Sequence, residues 1–178
     1  MKQAIEWCSG YTHRFREALA AMTPAIELLN RFGHPYDLRT FNHSANERNY
    51  AQAAAAALNI PADQIFKTLL WRLNIGVQIV AIAAASEAIN PKALAKLAGA
   101  KKAELLDAKK AESTTGYLIG GISPLAQKQR LPTFVSETVI RHSMIYVSAG
   151  RRGIEIGLEP NLLLELTEAT LGAFTNPV

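Results

Sequence analysis

Between Ser113 and Arg130 the chain concentrates residue types that could hold an anionic or ester-bearing ligand. The segment contains the pair Gly120 and Gly121, hydroxyl side chains on both sides of that pair, and cations near its end. Glycine adopts positive φ readily and lets a ligand approach bare backbone amides. Amides, hydroxyls and cations together bind the oxygens of such ligands. From the residues alone, the alternative is a tight turn after a buried strand over 117–119.

Lys67 is a second residue whose position points to chemistry. In a strand predicted over 65–73, Ile65, Lys67 and Leu69 share one face, so a cation lies among apolar side chains. A lysine at the wall of an apolar pocket attracts carbonyl or phosphate oxygens strongly. The pattern also fits a lysine on an edge strand, where it prevents aggregation or extends its ammonium into water. The residues alone leave both interpretations open.

Other common catalytic signatures are absent from the sequence. The four histidines, at positions 13, 34, 43 and 142, form no HxxxH or HExxH pair. Cys8 is the single cysteine, so no internal disulfide and no cysteine-rich zinc site can form. There is no GxSxG elbow and no P-loop. We therefore expect neither a metal nor a cofactor.

Composition indicates one folded domain. The 178 residues are 49% hydrophobic and 19% charged, which suits a single sizeable core and argues against disorder. The longest apolar stretches, such as Val77 to Ala85, are shorter than the roughly 20 residues that a membrane helix needs. Charged residues near the amino terminus are untypical of a secretion signal. We expect a soluble, cytoplasmic protein with no membrane contact.

The formal net charge of +4 comes from unevenly placed basic residues. Such a distribution is compatible with binding a phosphate backbone, although a lysine-rich helix face is commonly just solvated. The basic residues considered for contact with nucleic acid are Lys101, Lys102, Lys128, Arg130, Arg151 and Arg152.

Local patterns predict five helices and seven strands. A helix capped by Thr23 ends at Gly33, and further helices are predicted over 47–58, 90–98, 107–112 and 160–168. Strands are predicted over 35–41, 65–73, 76–85, 117–119, 133–135, 144–147 and 153–156. The runs over 65–73 and 76–85 read as a hairpin.

These elements predict an α+β fold, a single domain with a mixed, strongly curved central β-sheet surrounded by helices. A doubly wound sheet is the alternative, but the hairpin and the irregular spacing of helices and strands disfavour it. Residues 1–21 carry a weak pattern and are interpreted as an N-terminal extension to a domain over 22–178.

Four blocks of the sequence together resemble one family. They begin at Met22 (MTPAIELL), Ile65 (IFKTLL), Gly116 (GYLIGGISPLAQK) and Ile145 (IYVSAGRRG), and they follow in order at consistent spacing over about Met22 to Phe174. The blocks resemble the freestanding aminoacyl-tRNA deacylases of the YbaK type, relatives of the editing domain of bacterial prolyl-tRNA synthetases. The resemblance implies that family's fold, with the sheet curved like a barrel.

The resemblance also implies a substrate and a reaction. The substrate would be tRNA carrying a wrong small amino acid at its CCA end, with cysteine on tRNA(Pro) or tRNA(Cys) as the first choice and prolyl- or cysteinyl-tRNA synthetase as a partner. Lys67 matches the family's essential lysine, and the amides of Gly120 and Gly121 would help to polarise the ester. No nucleophile or base is evident, so a substrate group or a bound water would attack. The alternatives are a non-catalytic RNA-binding module, a deacylase for alanine or serine, and a Schiff-base enzyme at Lys67.

The positions that match the family's substrate pocket include three departures from its usual pattern. Phe41 replaces a tyrosine, Tyr50 replaces a phenylalanine and Glu155 replaces an aspartate. From its strand pattern alone Glu155 would face solvent, and Phe41 would be a core aromatic residue. Ala126 replaces a glycine after the Ser-Pro-Leu motif. The full set of implied substrate-binding residues is Phe41, Asn49, Tyr50, Ser148 and Glu155.

Overall fold

The computed structural model describes residues 22–42 and 49–178. Within them, helices α1 to α5 span Pro24–Phe32, Tyr50–Leu58, Pro91–Leu97, Ala108–Thr115 and Pro160–Thr167, and a 3-10 helix spans Glu137–Arg141. Strands β1 to β10 span Asp37–Thr40, Ile65–Leu73, Gln78–Ala84, Glu87–Ile89, Ala103–Leu105, Thr133–Ser136, Ile145–Ser148, Ile154–Leu158, Thr170–Gly172 and Thr175–Pro177. The proposed extension over 1–21 lies outside the described residues, as do the first two residues of the helix predicted over 47–58.

Eight strands form one mixed sheet, in the order β1-β8-β7-β2-β3-β6-β9 with β5 paired to β2. The pairs β1/β8, β7/β8, β2/β3 and β2/β5 are antiparallel, and the pairs β2/β7, β3/β6 and β6/β9 are parallel. Strands β4 and β10 form a separate antiparallel pair. This mixture confirms the α+β class and argues against a doubly wound sheet. In the part of the chain described here no pairing joins β1 to β9, so closure into a barrel stays a prediction.

Strand β2 is central to the fold. Its side chains alternate between two faces, and Phe66 packs on one face in the apolar cluster that includes Ile26 of α1. On the other face Ile65 packs with α2, and Trp71 packs with α3. Lys67 lies on this second face, between the clusters of Ile65 and Trp71. Because β2 has strand neighbours on both sides, the interpretation of Lys67 as an edge-strand residue is wrong.

Two of the predicted helix caps are present. Thr23 Oγ1 accepts from the Ile26 N–H at 3.3 Å, and Asp107 Oδ1 accepts from the Lys110 N–H at 2.9 Å. Each such cap contributes ~1 kcal/mol. The Thr23 hydroxyl also donates to the carbonyl of Ala149, so the start of α1 is tied to the turn that follows β7.

The strand predicted over 117–119 is wrong. Gly116 ends α4 in the left-handed conformation, and the chain then turns without pairing to any strand of the described residues. Tyr117 directs its side chain into the core, where its hydroxyl donates to the Leu125 carbonyl at 2.9 Å. Tyr117 thus packs into the core from a turn and not from a sheet, and Leu118 is exposed.

Four short strands, β4, β5, β9 and β10, are missing from the sequence prediction. Each contains three residues, which is too few for an alternating pattern to appear. The last predicted helix ends as expected, with Glu168 as its left-handed cap, but the chain beyond it enters β9 and then β10. Long-range pairing, and not local propensity, creates these strands.

Candidate active site

A cavity of about 350 Å³ lies where β2 loses its neighbours on one edge. The ladder between β2 and β7 ends at Phe66, and the ladder between β2 and β5 begins at Trp71. Backbone groups of successive strand residues point to opposite edges, and the Leu70 carbonyl on this edge accepts from Leu106. The N–H and C=O of Thr68 therefore point to the same edge, into the gap. The break in strand pairing creates the cavity.

Three polar side chains reach the cavity from adjacent strands. Ile65 and Tyr146 are paired across β2 and β7, so Lys67 and Ser148, two residues further along each strand, lie on the same face. Ser148 is in turn paired with Glu155 across β7 and β8. The structure thus places Lys67, Ser148 and Glu155 in one row across three strands, and all three line the cavity.

Lys67 is half-buried, and its ammonium donates a hydrogen bond to the backbone carbonyl of Glu87 at the start of β4. Burial lowers the pKa of Lys67 below its usual value, and the charge of the nearby Glu87 carboxylate acts in the opposite direction. An ammonium group has three N–H donors. The fold therefore holds this cation through one donor and leaves two for a ligand in the cavity.

Ser148 and Glu155 form a hydrogen-bonded pair. Ser148 Oγ donates to Glu155 Oε1 at 3.1 Å, whereas Glu155 Oε2 is buried without a partner among the described residues. Only 5% of Glu155 is exposed, so its interpretation as a solvent-facing carboxylate is wrong. Burial raises the pKa of Glu155 to about 8, and the hydrogen bond from Ser148 opposes that rise. At neutral pH Glu155 therefore holds a proton.

The turn after α4 borders the cavity at Ile119 and Gly120. The Ile119 N–H donates to Glu112 Oε1 at 2.9 Å, and the Gly121 N–H donates to the Leu118 carbonyl at 3.0 Å. Because the Gly121 amide is used within the turn, the implied catalytic role of that amide does not fit the structure. The Gly120 N–H has no hydrogen-bond partner in the described ranges, so it is the amide that a ligand could use.

Gly120 packs directly against the ring of Tyr50 at the start of α2. A Cβ at this position would lie 2.7 Å from Tyr50 Cδ1, and the φ of 86° disfavours any other residue. The guanidinium of Arg152 lies 5.0 Å from the centre of the same ring, and its Nε donates to the Ile119 carbonyl at 2.7 Å. Tyr50, Gly120 and Arg152 thus form one contact group at the border of the cavity.

Asn49 and Phe41 differ in their relation to the cavity. Asn49 lines it beside Tyr50, and its side chain makes no capping bond to α2. Phe41 lies outside the lining and packs, half-buried, against the apolar cluster that contains Ile65 and Tyr146. The structure therefore supports a core role for Phe41.

The six basic residues considered for nucleic-acid contact lie in separate places. Lys101 and Lys102 are exposed beside the turn between β2 and β3, where Asn74 Oδ1 accepts both of their backbone N–H groups. Arg130 pairs with Glu168 at 2.6 Å on the surface. These three residues do not line the cavity.

The other three basic residues lie nearer to the turn after α4. Lys128 is exposed, with its Cβ 3.5 Å from the place where a Cβ on Gly116 would lie. Arg151 and Arg152 belong to the turn between β7 and β8. Gly121 packs on that turn so closely that a Cβ would lie 2.7 Å from the Arg151 carbonyl carbon. Gly121 therefore serves close packing between two turns.

Apolar side chains that the sequence analysis did not single out form much of the cavity wall. Two acidic residues that position groups of the site also lie outside the motifs. The Glu87 carbonyl accepts from the Lys67 ammonium, and the Glu112 carboxylate accepts from the Ile119 N–H. Glu87 carries one detectable signal, because it is the single charged residue between Arg72 and Lys92. Of the apolar lining residues, Phe66, Leu70, Ile119 and Ile122 lie within the four sequence blocks without having been singled out, and Leu105 and Leu106 lie outside every block.

The titratable side chains in the cavity lining are Tyr50, Lys67 and Glu155. Among residues 22–42 and 49–178, no three His, Cys, Asp or Glu side chains are grouped so that they could hold a metal ion. No helix in those ranges has the length and apolar character needed to cross a bilayer. The chemistry available to a ligand here is hydrogen bonding and charge from a lysine, a backbone amide and a buried carboxyl group.

Comparisons with known proteins establish the family of this chain. The family described as "Aminoacyl-tRNA editing domain" matches residues 45–166. A protein of Enterococcus faecalis, EbsC, named as a candidate Cys-tRNA(Pro)/Cys-tRNA(Cys) deacylase, is 37% identical over 153 residues, which cover 86% of this chain and 93% of that protein. The chain therefore belongs to the aminoacyl-tRNA editing domain family, and the resemblance of the four sequence blocks is confirmed.

Two solved structures share the fold. A candidate trans-editing enzyme for prolyl-tRNA synthetase superposes with a TM-score of 0.75 at 19% identity, covering 87% of this chain and 98% of the other. A second protein, described as hypothetical protein APE2540, gives a TM-score of 0.77 at 23% identity, with 86% and 100% coverage. At these identities the two likenesses establish the fold alone.

Proposed function

We propose that this protein hydrolyses the ester bond of mischarged aminoacyl-tRNA in trans. The observation that carries the proposal is the cavity, in which Lys67, the Gly120 amide and the buried Ser148–Glu155 pair meet in a member of the editing family. Hydrolysis of an ester places negative charge on the carbonyl oxygen as the transition state forms. A lysine and a backbone amide that border the same cavity are donors suited to that charge.

In this mechanism the two remaining N–H groups of Lys67 and the amide of Gly120 hold the ester carbonyl oxygen. The attacking group is a water molecule or a side-chain thiol of the substrate itself. Attack converts the carbonyl into a tetrahedral oxyanion held by the same donors. Collapse of that oxyanion re-forms the carbonyl and expels the ribose oxygen of the tRNA, which takes up the proton that the attacking water or thiol gives up and leaves as a hydroxyl. Water yields the free amino acid, and a thiol yields its cyclic thioester, which water then opens.

Glu155 supplies a contact of a different kind. Its Oε2 is buried without a partner among the described residues, and a buried polar atom in this state gains from a ligand that pairs with it. Because Oε1 already accepts from Ser148, the proton that Glu155 holds at neutral pH lies on Oε2. Oε2 has almost no exposed surface, so in this proposal the carboxyl group turns toward the cavity to pair with an acceptor on the aminoacyl end of the substrate.

The amino acid removed is cysteine in this proposal. The name of the Enterococcus relative supports cysteine on tRNA(Pro) and tRNA(Cys). The cavity agrees in character, because its wall is mainly apolar and its volume is about 350 Å³. A prolyl- or cysteinyl-tRNA synthetase is the partner that would produce this substrate, and the cytoplasm is where the enzyme would meet it.

Phe41 and Glu155 depart from the family pattern and raised the alternative of a non-catalytic RNA-binding module. Their positions in the structure do not favour that alternative. Phe41 lies outside the cavity lining, so replacing a tyrosine there leaves the cavity intact. Glu155 keeps its carboxyl group in the row with Ser148 and Lys67, as a shorter aspartate would. Neither substitution removes a group on which the proposed reaction depends.

The proposal is tested by measuring release of the amino acid from a panel of tRNAs charged with cysteine, alanine, serine or proline. We expect rapid release of cysteine, and Lys67→Met should slow turnover by about 100-fold or more, the order seen on losing one preorganised donor. Methionine keeps the apolar stem and removes the charge. Lys96→Met, on the exposed face of α3, is the matched control and should retain full activity. Absence of release from every tRNA would overturn the proposal.

A further inference from the structure

The C-terminal strand β10 is paired with β4, the strand that begins at Glu87. The Val178 N–H donates to the Ser86 carbonyl at 3.0 Å, and the Asn90 N–H donates to the Phe174 carbonyl at 2.8 Å. These two bonds flank the ladder at either end. The backbone groups of the even-numbered residues 86, 88 and 90 are therefore the ones directed toward β10.

The same alternation directs the backbone groups of Glu87 to the opposite edge of β4. On that edge the Glu87 carbonyl accepts the hydrogen bond from the Lys67 ammonium. One three-residue strand thus takes β10 on one edge and the lysine on the other. The position of the acceptor for Lys67 depends on where β10 holds β4.

Further contacts fix the positions of β4 and β10. The Glu87 carboxylate folds back on its own turn, where Oε2 accepts from the Ala84 N–H at 3.3 Å. At the start of β10, Phe174 is fully buried in the cluster that contains Trp71. The Thr175 hydroxyl is 3.1 Å from the hydroxyl of Ser136 in β6. β10 is therefore fastened to the core at one end while its ladder reaches Glu87 at the other.

We infer that β10 is a positioning element for the catalytic lysine: by pairing with β4 it holds the Glu87 carbonyl, which holds the Lys67 ammonium at the cavity. The inference rests on the proposed function for the role of Lys67. β10 contributes no side chain to the cavity lining, and the family match ends at residue 166, before β10 begins. Release of β10 should therefore loosen the lysine while leaving the walls of the cavity in place.

Asn176→Pro in the full-length protein is the test, because Asn176 faces Ala88 across the ladder and proline removes its N–H donor. Asn176→Ala is the matched control, since it removes the same exposed side chain and keeps the N–H. The first readout is the rate at which an amine-reactive reagent labels Lys67, followed by mass spectrometry with Lys96 as the internal reference. We expect labelling of Lys67 to rise several-fold in Asn176→Pro only.

The second readout separates positioning from binding. A displaced lysine should lower kcat by about tenfold or more with little change in KM, because small misplacements of catalytic groups have effects of this size. Hydrogen exchange at the amides of Ala88 and Asn90 reports whether β10 has left β4. If the proline variant keeps these amides protected, deletion of residues 175–178 provides the displaced state.

Two results would separate the inference from the proposed function. If β4 loses its protection while the labelling of Lys67 and kcat stay at their original values, the positioning role is overturned. If labelling of Lys67 rises as expected but the unmodified protein releases no amino acid from any charged tRNA, the structural coupling stands and the deacylase function fails. Increased labelling together with lowered kcat supports both.

Discussion

The guanidinium of Arg152 lies over the ring of Tyr50, 5.0 Å from its centre, while its Nε holds the Ile119 carbonyl at 2.7 Å. An arginine can stack on an aromatic ring and donate in its own plane at the same time, which a lysine cannot do. Arg152 thus joins α2 to the turn that presents the Gly120 amide. Its charge is engaged within the fold beside the cavity, in addition to any contact with tRNA.

We expect Arg152→Ala to lower kcat/KM by about tenfold, because the turn that carries the Gly120 amide loses its link to Tyr50. The free energy of unfolding should fall by about 1 kcal/mol, the size of an exposed cation–π contact together with a hydrogen bond. Arg152→Lys should fail to restore activity. Steady-state deacylation and urea unfolding measure the two effects.

Arg72→Ala is the control for the loss of a surface arginine. Arg72 pairs with Glu104 at 3.5 Å and does not line the cavity, and an exposed pair of this kind contributes about 0–1 kcal/mol. A pure phosphate contact at Arg152 would behave differently from our expectation. It would lower the slope of tRNA affinity against salt by about one and leave kcat unchanged.

Much of the site could be predicted because its signals are local. Lys67 is a cation in an apolar strand, and its row with Ser148 and Glu155 follows once β2, β7 and β8 are neighbours. The burial of Glu155 could not be predicted from alternation, since the residue faces a cavity that exists only where the pairing of β2 is interrupted. A gap in a ladder has no sequence pattern of its own.

The turn after α4 shows a second limit of prediction from the sequence. The glycine pair marks a close approach of backbone, but the sequence does not tell which amide is consumed by the turn. In the structure Gly121 donates to Leu118 and Gly120 remains available. The hydrogen bond from Lys67 to the Glu87 carbonyl likewise cannot be predicted from the sequence. It depends on pairing between β4 and the last strand, β10.

Gly120→Ala should abolish most deacylation. The new Cβ would lie 2.7 Å from the Tyr50 ring, so either the ring or the turn must move, and the available amide moves with it. We expect a fall in kcat/KM of about 100-fold, comparable with the loss of one oxyanion donor. Circular dichroism and thermal unfolding, measured with the kinetics, establish that the variant is folded.

Gly99→Ala is the matched control for backbone strain. Gly99 also has a positive φ, 69°, but a Cβ there meets nothing within 4 Å. Both variants should lose about 1 kcal/mol from forcing alanine into the left-handed region. Only Gly120→Ala should lose activity. Equal activities in the two variants would mean that the turn has no catalytic role.

The pH dependence of stability should report the burial of Glu155. The carboxyl group ionises near 4.5 in its usual state, and burial raises its pKa to about 8 in the fold. Between these values the folded protein holds a proton that the unfolded chain has lost, so the free energy of unfolding falls as pH rises. The contribution is about 1.4 kcal/mol per pH unit. Urea unfolding at several pH values across this window measures the slope.

Glu155→Gln provides the comparison for that slope. Glutamine keeps the shape of the side chain and cannot ionise, so the decline in stability over the same window should be smaller in the variant. Every other titratable group is common to both proteins, so its contribution cancels in the difference between the two slopes. Identical slopes would show that Glu155 is ionised in the folded protein at neutral pH.

Ala126→Gly should stabilise the protein. Ala126 has a φ of 51°, in the left-handed region, at the position where the sequence departs from an expected glycine. Relief of that conformation should raise the free energy of unfolding by about 1 kcal/mol, or Tm by roughly 2–4 °C for a chain of this length. Ala56→Gly, on an exposed helical position of α2, should instead lower the free energy of unfolding by about 1 kcal/mol. Thermal unfolding of both variants checks the opposite signs, and a destabilised Ala126→Gly would show that the turn imposes no strain on alanine.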